Sequence, residues 1–152
     1  MAPRNTPTPP QLRIWRDFIE TVAGIQGELG RRLQDESDLS SADYSVLLAL
    51  SERLDRELRS SELAVALGWE RSRLSHHLGR MERRGLIRRD NCATDSRGAV
   101  IVLTAEGAAA FRRSNGPHLR AVRELFVDRL DDDQLQLVNS ITRALRSGDL
   151  SA

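Results

Sequence analysis

The chain of 152 residues contains no lysine; all 23 of its basic side chains are arginine. It has a single cysteine, Cys92, which excludes an internal disulfide and a cysteine zinc cluster. No apolar run is long enough for a transmembrane helix. The first residues lack the apolar segment of a secretory signal. Aromatic side chains are only 4% of the total, so no aromatic ligand cage is evident. A phosphate-binding glycine loop, a nucleophile elbow and a His-Glu-x-x-His pair are all missing, and no enzymatic chemistry is named without them. The expectation is a soluble cytoplasmic protein, not an enzyme, with no cofactor, no metal and no membrane association.

What is present points to a folded chain. Hydrophobic residues make up 39%, and 22 acids nearly cancel the arginines to a net charge of +1, which excludes a highly charged disordered chain. The length suits one domain with appended elements and a core that needs no disulfide or metal. The uniform use of arginine fits codon bias, yet it has a physical consequence. Each guanidinium is a planar fork of donors suited to phosphate and to guanine edges. The charge is also uneven. Between Arg71 and Arg97 eight arginines face three acids, a local net of +5 on a chain that is otherwise slightly acidic. A basic stretch of this kind marks a polyanion-binding surface.

Residues 1–11 hold four prolines and read as a disordered or extended tail. From Leu12 to about Asp35, apolar residues recur at three- and four-residue spacing, the pattern of a long amphipathic helix. Ser40 to Asp43 is a helix-start signal, and the next helix carries Tyr44, Val46, Leu47, Leu48, Leu50 and Leu54. Arg53 to Arg59 reads as a charged connection. Ser60 or Ser61 then caps a short helix that stops at Gly68, and another helix runs from about Arg71 to Gly85. Two short helices around a glycine turn form a helix-turn-helix. Residues 86–90 and 99–103 read as strands around a polar loop, a hairpin that makes the wing of a winged helix. Thr104 caps a further helix, which Gly116-Pro117 should kink or break, and Asp131 to Asp133 open a last one. The fold expected is mainly α with a small β-hairpin wing. Residues 40–104 form the winged helix-turn-helix for DNA, and 12–38 with 105–147 form a helical dimerisation region. Long end helices with apolar stripes contribute little to a compact winged domain, so a second subunit should cover them.

The helix at 71–84 carries the functional expectation. At about 100° per residue, Leu74, Leu78 and Met81 fall on one arc and must face the core. The opposite arc holds Ser72, His76, Gly79 and Arg83, flanked by Arg73, Ser75 and Arg80. Those side chains are small, hydroxylated or strong donors, as a helix in the DNA major groove requires. Ser60 and Ser61 begin the preceding helix, whose first amides and hydroxyls suit a phosphate. Arg97 lies near the tip of the wing, where a single guanidinium fits a narrow minor groove, and Asp95 is placed to hold it.

These pieces resemble the MarR family of bacterial transcription regulators. The stretch from Asp95 to Gly107, with Asp-x-Arg, a strand ending Leu103-Thr104 and then Gly107, is similar to that family's wing signature. Arg80 to Ile87 resembles the exit of its recognition helix, and Ala42 to Leu47 the start of its second helix. The resemblance spans roughly residues 12–147. It implies a homodimer on a pseudopalindromic double-stranded DNA operator, with Arg97 in the minor groove and Asp95 orienting it. It also implies repression, relieved in many members by small aromatic ligands, metals or thiol oxidation.

Other candidates weigh less. His76 and His77 are adjacent on a helix and point about 100° apart, so they do not chelate readily. His76 reads as a DNA contact and His77 as a flanking or packing residue. His118 reads as a surface histidine. Cys92 has no second cysteine to resolve an oxidised thiol. Trp15, Phe18 and Tyr44 read as core or dimer residues before lining an effector pocket. The competing function is a winged helix used for protein–protein assembly without DNA; such a surface should carry apolar anchors where this chain has donors.

Overall fold

A computed structural model describes residues 6–90 and 98–147. The elements run α1 (Pro9–Ser37), α2 (Ser41–Ser51), β1 (Glu57–Arg59), α3 (Ser60–Leu67), α4 (Arg71–Arg83), β2 (Ile87–Asp90), β3 (Val100–Leu103), α5 (Ala105–Leu125), a 3-10 turn (Val127–Arg129) and α6 (Asp132–Ser147). The chain divides into two compact units, Gly30–His118 and the segments before and after it.

The unit 30–118 is a winged helix. Ser40 starts α2 through a capping box: its hydroxyl accepts the Asp43 amide at 3.1 Å, and its own amide donates to the Asp43 carboxylate at 2.9 Å. Helix α3 ends on Gly68, whose φ of +64° is the left-handed turn that glycine adopts without a steric cost. The Trp69 amide then returns to the Ala64 carbonyl at 2.9 Å, which fixes the tight entry to α4. Val46, Leu47 and Leu50 of α2, Leu63 of α3, Leu74, Leu78 and Met81 of α4, and Ile87 and Ile101 of the sheet form one buried cluster. Each such side chain contributes about 1.5–3 kcal/mol on burial. The apolar arc of α4 therefore packs where its periodicity predicts.

The two expected wing strands pair, and a third strand joins them. Strands β2 and β3 pair antiparallel from Ile87↔Leu103 to Asp90↔Val100. Strand β1 pairs with the other edge of β3, Leu58 opposite Ile101, giving a three-stranded sheet in the order β1-β3-β2. Glu57 to Arg59 thus belongs to the sheet and is not merely a charged connection. Its three residues carry one apolar side chain and no alternation long enough to read. It becomes a strand because β3 offers a second row of backbone donors and acceptors.

Thr104 joins the wing to α5. Its hydroxyl accepts the Gly107 amide at 2.9 Å and donates to the Gly85 carbonyl at 2.6 Å. A Cβ on Gly107 would lie 2.0 Å from the Leu86 carbonyl oxygen, so only glycine fits there. Helix α5 runs through Gly116-Pro117 without the expected break. Proline removes one i→i−4 bond, but Ala108, Ala110 and Ser114 before it and Ala121 and Leu125 after it are buried, and their burial holds both halves helical.

The other unit comprises the N-terminal part of α1, the end of α5, the 3-10 turn and α6. Helix α1 begins at Pro9, inside the stretch read as a tail; proline is tolerated in a first turn, where amides have no intrahelical partner. Asp131 and Gln134 cap α6 reciprocally at 2.8 and 3.0 Å. Large apolar side chains are exposed throughout this unit: Ile14 (69%), Trp15 (62%) and Phe18 on α1, Leu137 (61%), Ile141 and Leu145 on α6. Among the described residues no helix is long and apolar enough to cross a membrane.

Candidate nucleic-acid interface

Helix α4 presents its two arcs as its sequence requires. Leu74, Leu78 and Met81 are buried, while Ser72, Arg73, Ser75, His76, Arg80 and Arg83 are all exposed. Ser60 and Ser61 lie half-buried in the first turn of α3. They share with Ser75, Arg71, Arg89 and Gly98 the wall of a cavity of about 660 Å³. The Ser60 amide already donates to the Ala99 carbonyl at 3.0 Å, so it is not a vacant phosphate donor. Asp95, Arg97 and Cys92 lie outside the described residues.

The basic stretch is partly neutralised by its own neighbours. Arg84 donates to Asp43 at 2.7 Å, Arg88 to Asp90 at 2.7 Å, and Arg89 lies 3.0 Å from Glu82. Arg71, Arg73, Arg80 and Arg83 remain turned to solvent on α4. Arg73 rests over the Trp69 ring, its guanidinium carbon 4.6 Å from the centroid. A cation on an indole face is held by about 0.5–1 kcal/mol at an exposed site. Of these solvent-facing arginines, Arg73, Arg80 and Arg83 share one face of α4, whereas Arg71 lies on the opposite side.

Beneath that face lies a buried polar group. Asp43 and His77 are both almost fully buried. His77 Nε2 is 3.0 Å from Asp43 Oδ1, and Arg80 Nη2 is 2.9 Å from His77 Nδ1. Burial works against ionising Asp43, but the hydrogen bonds from His77, Arg84 and the Ser40 amide, with the Arg84 charge, outweigh it. They hold its carboxyl well below the usual carboxylate range. Burial also lowers the His118 pKa and, with a smaller effect from Glu52, raises that of Tyr44. Tyr44 is a core residue: its hydroxyl donates to Asn115 at 2.7 Å, and its ring lies 4.2 Å from the half-buried His118. Trp15 and Phe18 are exposed instead. Among the described residues no group of three or more His, Cys, Asp or Glu side chains could hold a metal.

Sequence reasoning found the exposed face but missed Trp69, Asp43, Arg71 and Arg89. Trp69 lies just outside α4, before its N-cap Glu70, so helical spacing does not mark its contact with Arg73. Local spacing marks Asp43 only as the capping partner of Ser40; its contact to His77 closes only in the fold.

Comparison with known proteins places this geometry. A sequence model described as MarR family matches residues 37–98. The transcriptional regulator HosA of Escherichia coli is 32% identical over 122 residues, which is 80% of this chain and 87% of that protein. The structure of Sco3205, a MarR family transcriptional regulator from Streptomyces coelicolor in complex with DNA, is 35% identical with a TM-score of 0.90. That alignment covers 99% of this chain and 94% of the other. The structure of AbsC, also a MarR family transcriptional regulator from Streptomyces coelicolor, gives a TM-score of 0.84 at 34% identity, covering 94% of this chain and 99% of the other. The chain belongs to the MarR family. It is a winged-helix transcriptional regulator, and the family consists of DNA-binding regulators, not enzymes. In this MarR-family chain α4 holds the place of the recognition helix in the helix-turn-helix, and the β2–β3 hairpin is the wing.

Proposed function

We propose that this chain binds a pseudopalindromic double-stranded DNA operator as a homodimer and represses transcription there. Helix α4 enters the major groove with Ser72, Arg73, Ser75, His76, Arg80 and Arg83 on base edges or adjacent phosphates. Ser60 and Ser61 meet the backbone through their hydroxyls. Arg97 enters the minor groove from the wing, oriented by Asp95. Residues 40–104 bind DNA, and 12–38 with 105–147 dimerise. The observation that carries the reading is the division of α4 into a buried apolar arc and an exposed arc of arginines, serines and a histidine. An assembly surface would expose anchors such as Trp or Leu on that arc. The DNA complex of Sco3205 supports the same reading. A two-fold dimer sets its paired helices roughly 34–36 Å apart, one turn of duplex. Relief by a small aromatic effector and a cytoplasmic location complete the proposal.

The test is fluorescence anisotropy on the DNA upstream of the chain's own coding sequence, across a salt series. Arg83→Ala and Arg97→Ala should each weaken binding without unfolding the protein. Losing a phosphate contact should also flatten the salt slope by about one unit. Unchanged affinity in both variants would remove α4 and the wing from the account. A thermal-shift screen with aromatic acids tests the effector.

A further inference from the structure

We propose that His77 is a positioning residue for the recognition surface: its buried imidazole, anchored by Asp43, fixes the guanidinium of Arg80 on the exposed face of α4. The inference rests on the reading of α4 as the helix that meets DNA.

His77 and Arg80 are three residues apart, so they are neighbours on the helix surface, one turned inward and one outward. Arg80 Nη2 lies 2.9 Å from His77 Nδ1. A guanidinium has donors only, so Nδ1 must present a lone pair. An imidazole with a free lone pair on Nδ1 is neutral and carries its proton on Nε2. That nitrogen lies 3.0 Å from Asp43 Oδ1, a close polar contact that falls short of hydrogen-bond alignment, and an ionised carboxylate only accepts. The two contacts therefore demand the same tautomer from opposite sides of the ring. The ring sits among Asp43 from α2, Arg84 bound to the other Asp43 oxygen, the Trp69 ring packed nearly perpendicular with centroids 5.6 Å apart, and Arg80 itself.

Asp43 cannot turn to suit another partner. Its second oxygen is taken by the Ser40 amide at 2.9 Å and by Arg84 at 2.7 Å. A chain of close polar contacts thus runs from the start of α2 to the surface of α4 and ends on the side chain of Arg80. A long arginine loses rotamer freedom when it binds; here part of that loss is taken before DNA arrives. Packing alone would bury an imidazole in either tautomer. The contact to Arg80 requires Nδ1 to be an acceptor, and the contact to Asp43 favours the same tautomer.

The experiment uses the full chain, a short duplex that the wild type selects from a randomised pool, and an unrelated duplex of equal length. His77→Gln retains a donor toward Asp43 and loses the acceptor for Arg80. His77→Asn places an amide oxygen near the Nδ1 position and retains it. His77→Gln should weaken binding to the selected duplex about two- to tenfold and change the unrelated duplex far less. His77→Asn should recover most of the loss. In the His77→Gln background, Arg80→Ala should cost less than in the wild type, since coupled residues are not additive. Independent, multiplicative effects would overturn the inference. Unchanged affinity on Arg80→Ala alone would instead sink the DNA role of Arg80. In that case, and if a His77 variant fails to fold, nitrogen-15 NMR of the free wild-type protein decides. His77 should be the neutral Nε2–H tautomer, and the Nδ1–H form would overturn the proposal.

Discussion

The two units of this chain handle apolar surface in opposite ways. In the unit 30–118, Val46, Leu47, Leu50, Leu63 and Met81 are removed from solvent completely. In the other unit many large apolar side chains of α1 and α6 lie open, with Trp15 and Leu137 both more than half exposed. One unit closes its core within a single chain, whereas the other offers a stripe that a second copy is proposed to cover. The contrast separates two kinds of stability. The first belongs to the fold and is independent of concentration, and the second grows with the population of dimer.

The sharpest way to break the comparison is inside the winged unit. Gly107→Ala drives a methyl group into the Leu86 carbonyl and should cost about 3 kcal/mol or more in urea unfolding. That loss should be the same at every protein concentration. On the other unit, Leu137→Asp combined with Ile141→Asp should leave the circular dichroism spectrum unchanged but shift sedimentation from dimer to monomer. Affinity for a two-half-site duplex should fall by about tenfold or more, because the second half-site is no longer tethered. A variant that still sediments as a dimer would show that α6 is not the covering surface.

A middle-sized effect should appear with pH. The Asp43 carboxyl is held below its ordinary range in the folded chain, while the unfolded value is about 3.9. The folded state thus binds fewer protons, and this stabilisation is fully present above the unfolded pKa. It is lost as pH falls below about 4 toward the lower folded value. Asp43→Asn should make stability fall less steeply over that acidic window, as measured by urea titrations at several pH values. At neutral pH it should cost about 2–3 kcal/mol, less than for a fully buried pair because Arg84 remains partly exposed and turns to water. The smallest effect is expected for Tyr44→Phe, which removes the bond to Asn115 and should cost about 1 kcal/mol in the same assay.

How far these contrasts were legible in the sequence follows from the range of each interaction. The arcs of α4 were readable, since helical periodicity over residues 71–83 separates Leu74, Leu78 and Met81 from the arginines. Caps at Ser40 and Thr104 were readable because the bonding residues stand three apart. Strand β1 was not, because its pairing partner begins more than forty residues later at Val100. The break that proline 117 allows does not occur: the helix continues through it, with buried residues on both sides. At the site, the outward-facing side chains were found and their supports were missed. Asp43 acts on His77 through the fold, and no spacing encodes that contact.

One hydroxyl on Thr104 takes hold of the exit of α4 at Gly85 and the entry of α5 at Gly107. The two helix ends consequently share one anchoring side chain at the base of the wing. Substituting serine would preserve that joint, and valine would uncouple it while filling the same volume.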